Sequence, residues 1–190
     1  MLFLVPIAAK ADPVEVTKDK MQVQKRFDVA SPSSQEKGNT AWFFHCFPNF
    51  NFQFETRTEH EVTIRPQTAT MHIGLDIIET MPFRCSDKLQ AHEDGHVEIC
   101  KRTYENAEKI AHDACSMAIG QTFTGHGATE KEATDNAIDI ASKFVCGKYS
   151  AQTGNLCDKV SAEYDGITRH GLADITEKKA IEQAFKKVGQ

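Results

Sequence analysis

The chain has 190 residues, a net charge of −5 and a pI near 5.9. That length suits one domain rather than two, and the acidic balance argues against a nucleic-acid-binding surface. A hydrophobic share of 40% beside 26% charged residues suits a water-soluble globular chain.

The first eleven residues, Met1 to Ala11, form a short apolar run ending in small residues. They read as a truncated secretory signal peptide with Ala9-Lys10-Ala11 as the cleavage site, too short to span a bilayer. A single domain over 12–190 is expected to remain, with no stable membrane span.

Residues 12–41 are polar, with Ser31-Pro32-Ser33-Ser34 and Lys37-Gly38-Asn39 as loop signals. From Trp42 the pattern changes. Phe50, Phe52 and Phe54 alternate with polar residues at the period of a half-buried strand, and Glu61 to Arg65 continue the sheet up to an interruption at Pro66. Met71, Ile73, Leu75 and Ile77 alternate in the same way, and Pro82 closes the β-rich part. The strand period makes Phe43, Phe44, Phe47, Phe50, Phe52 and Phe54 core residues by expectation, and His45, His60 and His72 read as ordinary strand histidines.

Ser86 offers an N-cap to a helix running from Asp87 to about Ile119, ended by Gly120. Thr124-Gly125-His126-Gly127 reads as a turn. Thr129 with Glu132 makes a capping-box pattern for a second helix to Cys146, stopped by Gly147. Asn155 starts a third helix ending near Asp165-Gly166, and Thr176 a last one reaching Lys187. Strands followed by helices define an α+β class: an antiparallel or mixed sheet, then a site-bearing helix and further helices.

Six cysteines, Cys46, Cys85, Cys100, Cys115, Cys146 and Cys157, include no C-x-x-C pair. An even, well-spaced set in an exported chain points to disulfides rather than a thiolate metal site. If the two long helices form an antiparallel hairpin, Cys100 and Cys146 come to similar heights and are the expected pair.

His92-Glu93-Asp94-Gly95-His96 falls inside the first long helix. Histidines four apart share a helix face and can grip one metal ion, while the glutamate after the first is placed to act on a zinc-activated water. Gly95 is a poor helix former, costing about 1 kcal/mol against alanine, and makes sense where something packs closely against it. A catalytic zinc wants a third protein ligand and one open position. Glu98 lies about 200° around the helix from His96 and faces away. Glu105, His112 and His126 are badly placed or too far along. His170 follows a helix that returns toward His92, and Glu132 is the fallback.

Tyr164-Asp165-Gly166-Ile167-Thr168-Arg169-His170-Gly171 has the form Y-D-x-x-T-x-H-G. With the H-E-x-x-H pentad and the tryptophan-containing β segment before it, the chain from about Ala41 to Gly171 resembles a bacterial family of predicted secreted zinc-dependent proteases. The longer middle, near Phe123 to Thr153, and the cysteine richness depart from that family's pattern. The resemblance implies a zincin-like fold, one Zn2+ per chain held by His92, His96 and His170, and a periplasmic or secreted location. A peptide or protein is then the expected substrate and Glu93 the general base. Tyr164 and Arg169 are candidates for oxyanion stabilisation, and Asp165 for orienting a ligand histidine. The competing reading is a non-catalytic envelope protein with a structural metal site, or an interaction domain held by disulfides.

Overall fold

A computed structural model describes residues 12–28 and 38–190; the leader expected over 1–11 and the loop signals at 31–34 lie outside them. The chain runs β1 (Val14–Lys18), β2 (Gln22–Asp28), β3 (Asn39–Arg57), β4 (Glu61–Pro82), α1 (Asp87–Glu105), α2 (Ala107–Ala118), β5 (Phe123–His126), α3 (Glu130–Gln152), α4 (Gly154–Thr168) and α5 (Glu177–Lys187).

Strand β4 is the spine. From Ala69 to Met81 every second side chain (Ala69, Met71, Ile73, Leu75, Ile77, Glu79, Met81) is buried, so one face of the sheet carries the core. Along one edge β3 pairs with it antiparallel, as a long hairpin. Three pieces share the other edge: β5 lies antiparallel against Glu61–Ile64, β1 parallel against Ala69–Ile73, and β2 parallel against Asp76–Pro82. The register slips by one residue between β1 and β2, so the two form a single edge strand kinked at Asp19–Met21. The helices pack on the buried face, and the structure is α+β with a mixed sheet.

Several local expectations change. Residues 12–41 hold two edge strands rather than connecting chain alone. Pro66 does not interrupt β4, because it sits between the stretches bound by β5 and β1, where a missing N–H is tolerated. Phe123–His126 is a strand rather than a turn. Its glycines serve close packing: a Cβ on Gly125 would overlap Ala133 O and Ala137 N of α3.

The single helix expected to Ile119 breaks at Asn106. There the Lys18 ammonium donates to Tyr104 O (2.8 Å) and Glu105 O (3.0 Å), which takes up carbonyls at the end of α1. Ser86 caps α1 as expected, accepting from Leu89 N. Helix α3 continues through Gly147, and the buried Val145 and Tyr149 on either side outweigh the modest cost of one glycine. Its N-terminus is capped by Thr129 Oγ1, and the Glu132 carboxylate accepts from Ala128 N at the same helix start, which removes Glu132 as a fallback ligand.

The disulfide joins Cys46 to Cys146, tying β3 to α3, so the expected Cys100–Cys146 pairing is corrected. Helix α1 packs against α4 and α5, and it is α2 that lies along α3. Among the described residues no helix is long and apolar enough to cross a membrane.

Candidate metal centre

Helix α1 is fixed against the sheet by charge as well as packing. Lys25 on β2 reaches Glu79 on β4 at 3.1 Å and Asp94 on α1 at 2.7 Å. Burial pushes the Glu79 carboxyl above its ordinary range, and the Lys25 ammonium works against that shift. The next residues on this face of the sheet belong to β3. Thr40, opposite Glu79 in the register, donates to Glu93 Oε2 at 2.7 Å, and Trp42 stacks on His96 at 6.0 Å. Gly38 allows this crossing, since a Cβ there would meet Glu93 Cγ at 2.6 Å. The start of β3 therefore covers Glu93 and His96 together, and Trp42 Nε1 donates to Asp158 on α4.

The other wall is α4. Tyr164 lies parallel to the His92 ring (5.0 Å between centroids) and edge-on to His96 (5.1 Å), and its hydroxyl donates to His92 O at 3.3 Å. This is the close neighbour that Gly95 accommodates: a Cβ on that glycine would overlap the Tyr164 hydroxyl and come within 2.5 Å of Cζ. Tyr164 is fully buried, and burial raises its hydroxyl above the ordinary tyrosine range. Its hydroxyl, offered by the sequence as an oxyanion donor, is sealed against His92 O, where the ring packs on the histidine helix.

About two helical turns after Trp42's partner Asp158 comes Asp165, whose Oδ1 sits 3.1 Å from Nε2 of His92 and 3.1 Å from Nε2 of His96. Both imidazoles are buried, and the donor atoms of all three residues lie within 4.8 Å of one another. Burial alone would raise the Asp165 carboxyl, but its contacts with the two imidazoles outweigh that and hold it well below the usual carboxylate range. Thr168 explains how His92 is oriented. Its hydroxyl donates to Tyr164 O at 2.8 Å, so its oxygen is left to accept from His92 Nδ1 at 3.3 Å. Nε2 of His92 then faces the carboxylate oxygen that also faces His96.

One carboxylate oxygen and two ring nitrogens, Nε2 of His92 and of His96, converge on one point, as the donors around a metal ion do. Donors about 2.0–2.1 Å from a tetrahedral zinc stand roughly 3.3–3.4 Å apart, close to the 3.1 Å from Asp165 Oδ1 to each ring nitrogen. Neutral imidazoles and a carboxylate are also the donor types that zinc takes, so the three residues fit the ion. The remaining ring nitrogen, His96 Nδ1, is buried without a hydrogen-bond partner among the described residues.

His170 lies at the rim. After Thr168 the chain leaves α4 through left-handed backbone at Arg169 (φ 50°), His170 (φ 54°) and Gly171 (φ 81°). The His170 ring is 79% exposed, with Nδ1 3.6 Å from Asp165 Oδ1 and its centroid 6.3 Å from that of His92. The three-residue cluster therefore holds Asp165 where the sequence reading had placed His170. Arg169 is exposed at the helix end. Sequence reasoning passed over Thr40 and Gly38 entirely; neither has a signal until the strand and helix are known to cross. Thr168 stood in the motif without a role assigned to it.

A cleft between α1 and α5, lined by Ala91, Asp94, Glu98 and Ile181 among others, includes neither histidine and is separate from the cluster. No family model, no curated protein and no solved structure matches the chain.

Proposed function

We propose that the protein is an exported zinc-dependent metallopeptidase of zincin-like build, with His92, His96 and Asp165 as the zinc ligands and His170 beside them on the exposed side. The observation that carries this reading is one carboxylate oxygen shared by two buried imidazoles, on a helix that also bears Glu93. Zinc at this position supplies Lewis-acid activation of water and of the scissile carbonyl. Glu93 takes the proton of the attacking water and passes it to the leaving amine, and Thr40 orients its carboxylate. Thr168 and Tyr164 hold His92 in its tautomer and orientation.

Strand β3 supports a peptide substrate. Among the described residues it pairs along one edge only, and its first residues cross the site, so an extended peptide can add to the free edge beside Glu93. The Cys46–Cys146 disulfide favours an oxidising compartment, periplasmic or external.

Metal analysis of the purified protein should find about one zinc per chain. Glu93→Gln should keep that zinc and lose hydrolysis of an unfolded-protein substrate by a hundredfold or more, the scale of general-base catalysis. Full zinc with no hydrolysis by the parent would instead favour a binding protein with a structural metal.

A further inference from the structure

Four of the six cysteines have no bond to one another, and two of those four face each other. Cys100 on α1 and Cys157 on α4 are fully buried, with sulfurs 3.1 Å apart. Two unbonded sulfurs in van der Waals contact stand further apart than this, whereas a disulfide needs about 2.05 Å. The other two cysteines have methionine neighbours instead: Cys115 lies 3.5 Å from Met71 Sδ, and Cys85 lies 3.9 Å from Met81 Sδ.

We propose that Cys100 and Cys157 form a second disulfide, which clamps α1 to α4 directly beside the His92–His96–Asp165 cluster. Cys100 is one helical turn beyond His96, and Cys157 lies about two turns before Asp165 on the same helix. The cross-link therefore ties the helix that carries both imidazoles to the helix that carries the carboxylate. Its position gives it a purpose that the Cys46–Cys146 bond, between β3 and α3, does not serve.

The chemistry is thiol–disulfide exchange with a small-molecule disulfide such as glutathione disulfide. One cysteine thiolate attacks a sulfur of the oxidant and releases a thiol. The second thiolate then displaces the oxidant's other half, closing the Cys100–Cys157 bond. Two electrons pass to the oxidant, and the two protons lost from the cysteines end on its two released thiols. Because both sulfurs are sealed in the folded chain, exchange takes place before α1 and α4 close. Contact with Cys157 and burial raise the Cys100 thiol above its ordinary range, which makes it sluggish once enclosed.

The test is a thiol map of the full chain refolded in a glutathione redox buffer, denatured without reductant and alkylated with iodoacetamide. Only Cys85 and Cys115 should be alkylated, and digestion should yield a peptide pair linked through Cys100 and Cys157. Alkylation of Cys100 or Cys157 in that sample overturns the proposal. The Cys100→Ala/Cys157→Ala variant, which keeps the Cys46–Cys146 bond, should melt about 10 °C lower than the oxidised parent. An unchanged melting point would mean that no cross-link existed to be lost. The thiol map needs no metal, so its result stands apart from the zinc reading. If both hold, the oxidised parent should bind zinc at least tenfold more tightly than the double variant.

Discussion

The molecule contains histidine–aspartate contacts in two settings, and the contrast separates a site from a coincidence. His45 meets Asp76 at 2.9 Å, His72 meets Asp19 at 2.6 Å and His112 meets Asp12 at 2.9 Å, all with partly exposed side chains. Each joins one ring to one carboxylate beside water, where solvent screens the attraction and little net stability remains. At the cluster one oxygen faces two rings that are 5% and 8% exposed. Residue type is the same in both settings. What differs is that two buried rings converge on one carboxylate oxygen, the arrangement in which a metal ion's donors would stand.

That contrast is broken most directly at the carboxylates. Asp165→Asn should lower zinc affinity by about two orders of magnitude, one ligand's share of the roughly 10–16 kcal/mol of a four-ligand zinc site. Asp76→Asn, at a surface pair, should leave zinc binding unchanged. Competition titration with a chromogenic chelator measures both. His170→Ala belongs in the same series and should cost less than Asp165→Asn. If it costs more, the third-ligand role returns to His170.

A smaller effect is expected one step out from the cluster. Thr168→Val keeps the shape of the side chain but leaves His92 Nδ1 without its acceptor. Losses of this kind weaken metal binding by about 10- to 100-fold, and Thr168→Ser should restore most of it. Among the described residues, no surface histidine has a buried hydroxyl oriented toward its second nitrogen in this way. A full loss of zinc in Thr168→Val would mean that the threonine does more than orient the ring.

The legible and illegible parts of the sequence divide along the same line, between local and distant causes. Ser86, the i,i+4 histidines and the alternation of Met71, Ile73, Leu75 and Ile77 act within a few residues, and they could be read directly. The break at Asn106 could not, because its cause is Lys18, about ninety residues earlier in the chain. Phe123–His126 was hidden because glycine signals both turns and close packing, and only the position of α3 decides between them. The third member of the cluster falls between these cases. The motif around Asp165 and His170 was visible, but which of the two points inward depends on the left-handed exit after Thr168.

The smallest expected effect concerns two helical glycines with opposite surroundings. In α3 a Cβ at Gly147 meets nothing within 4 Å, so Gly147→Ala should stabilise by about 1 kcal/mol through helix propensity alone. That corresponds to a rise of about 2–4 °C in melting temperature for a domain of this size. In α1 the same change at Gly95 gains the same propensity but drives Tyr164 out of its fully buried place, an overpacking cost of about 1–3 kcal/mol. Gly95→Ala should therefore melt lower than the parent, by up to about 2 kcal/mol. Since Tyr164 stacks on His92, the variant should also lose zinc affinity, which Gly147→Ala should not. If both substitutions raised the melting temperature, Gly95 would be an ordinary helical glycine, and the packing of Tyr164 against the histidine helix would not be what requires it.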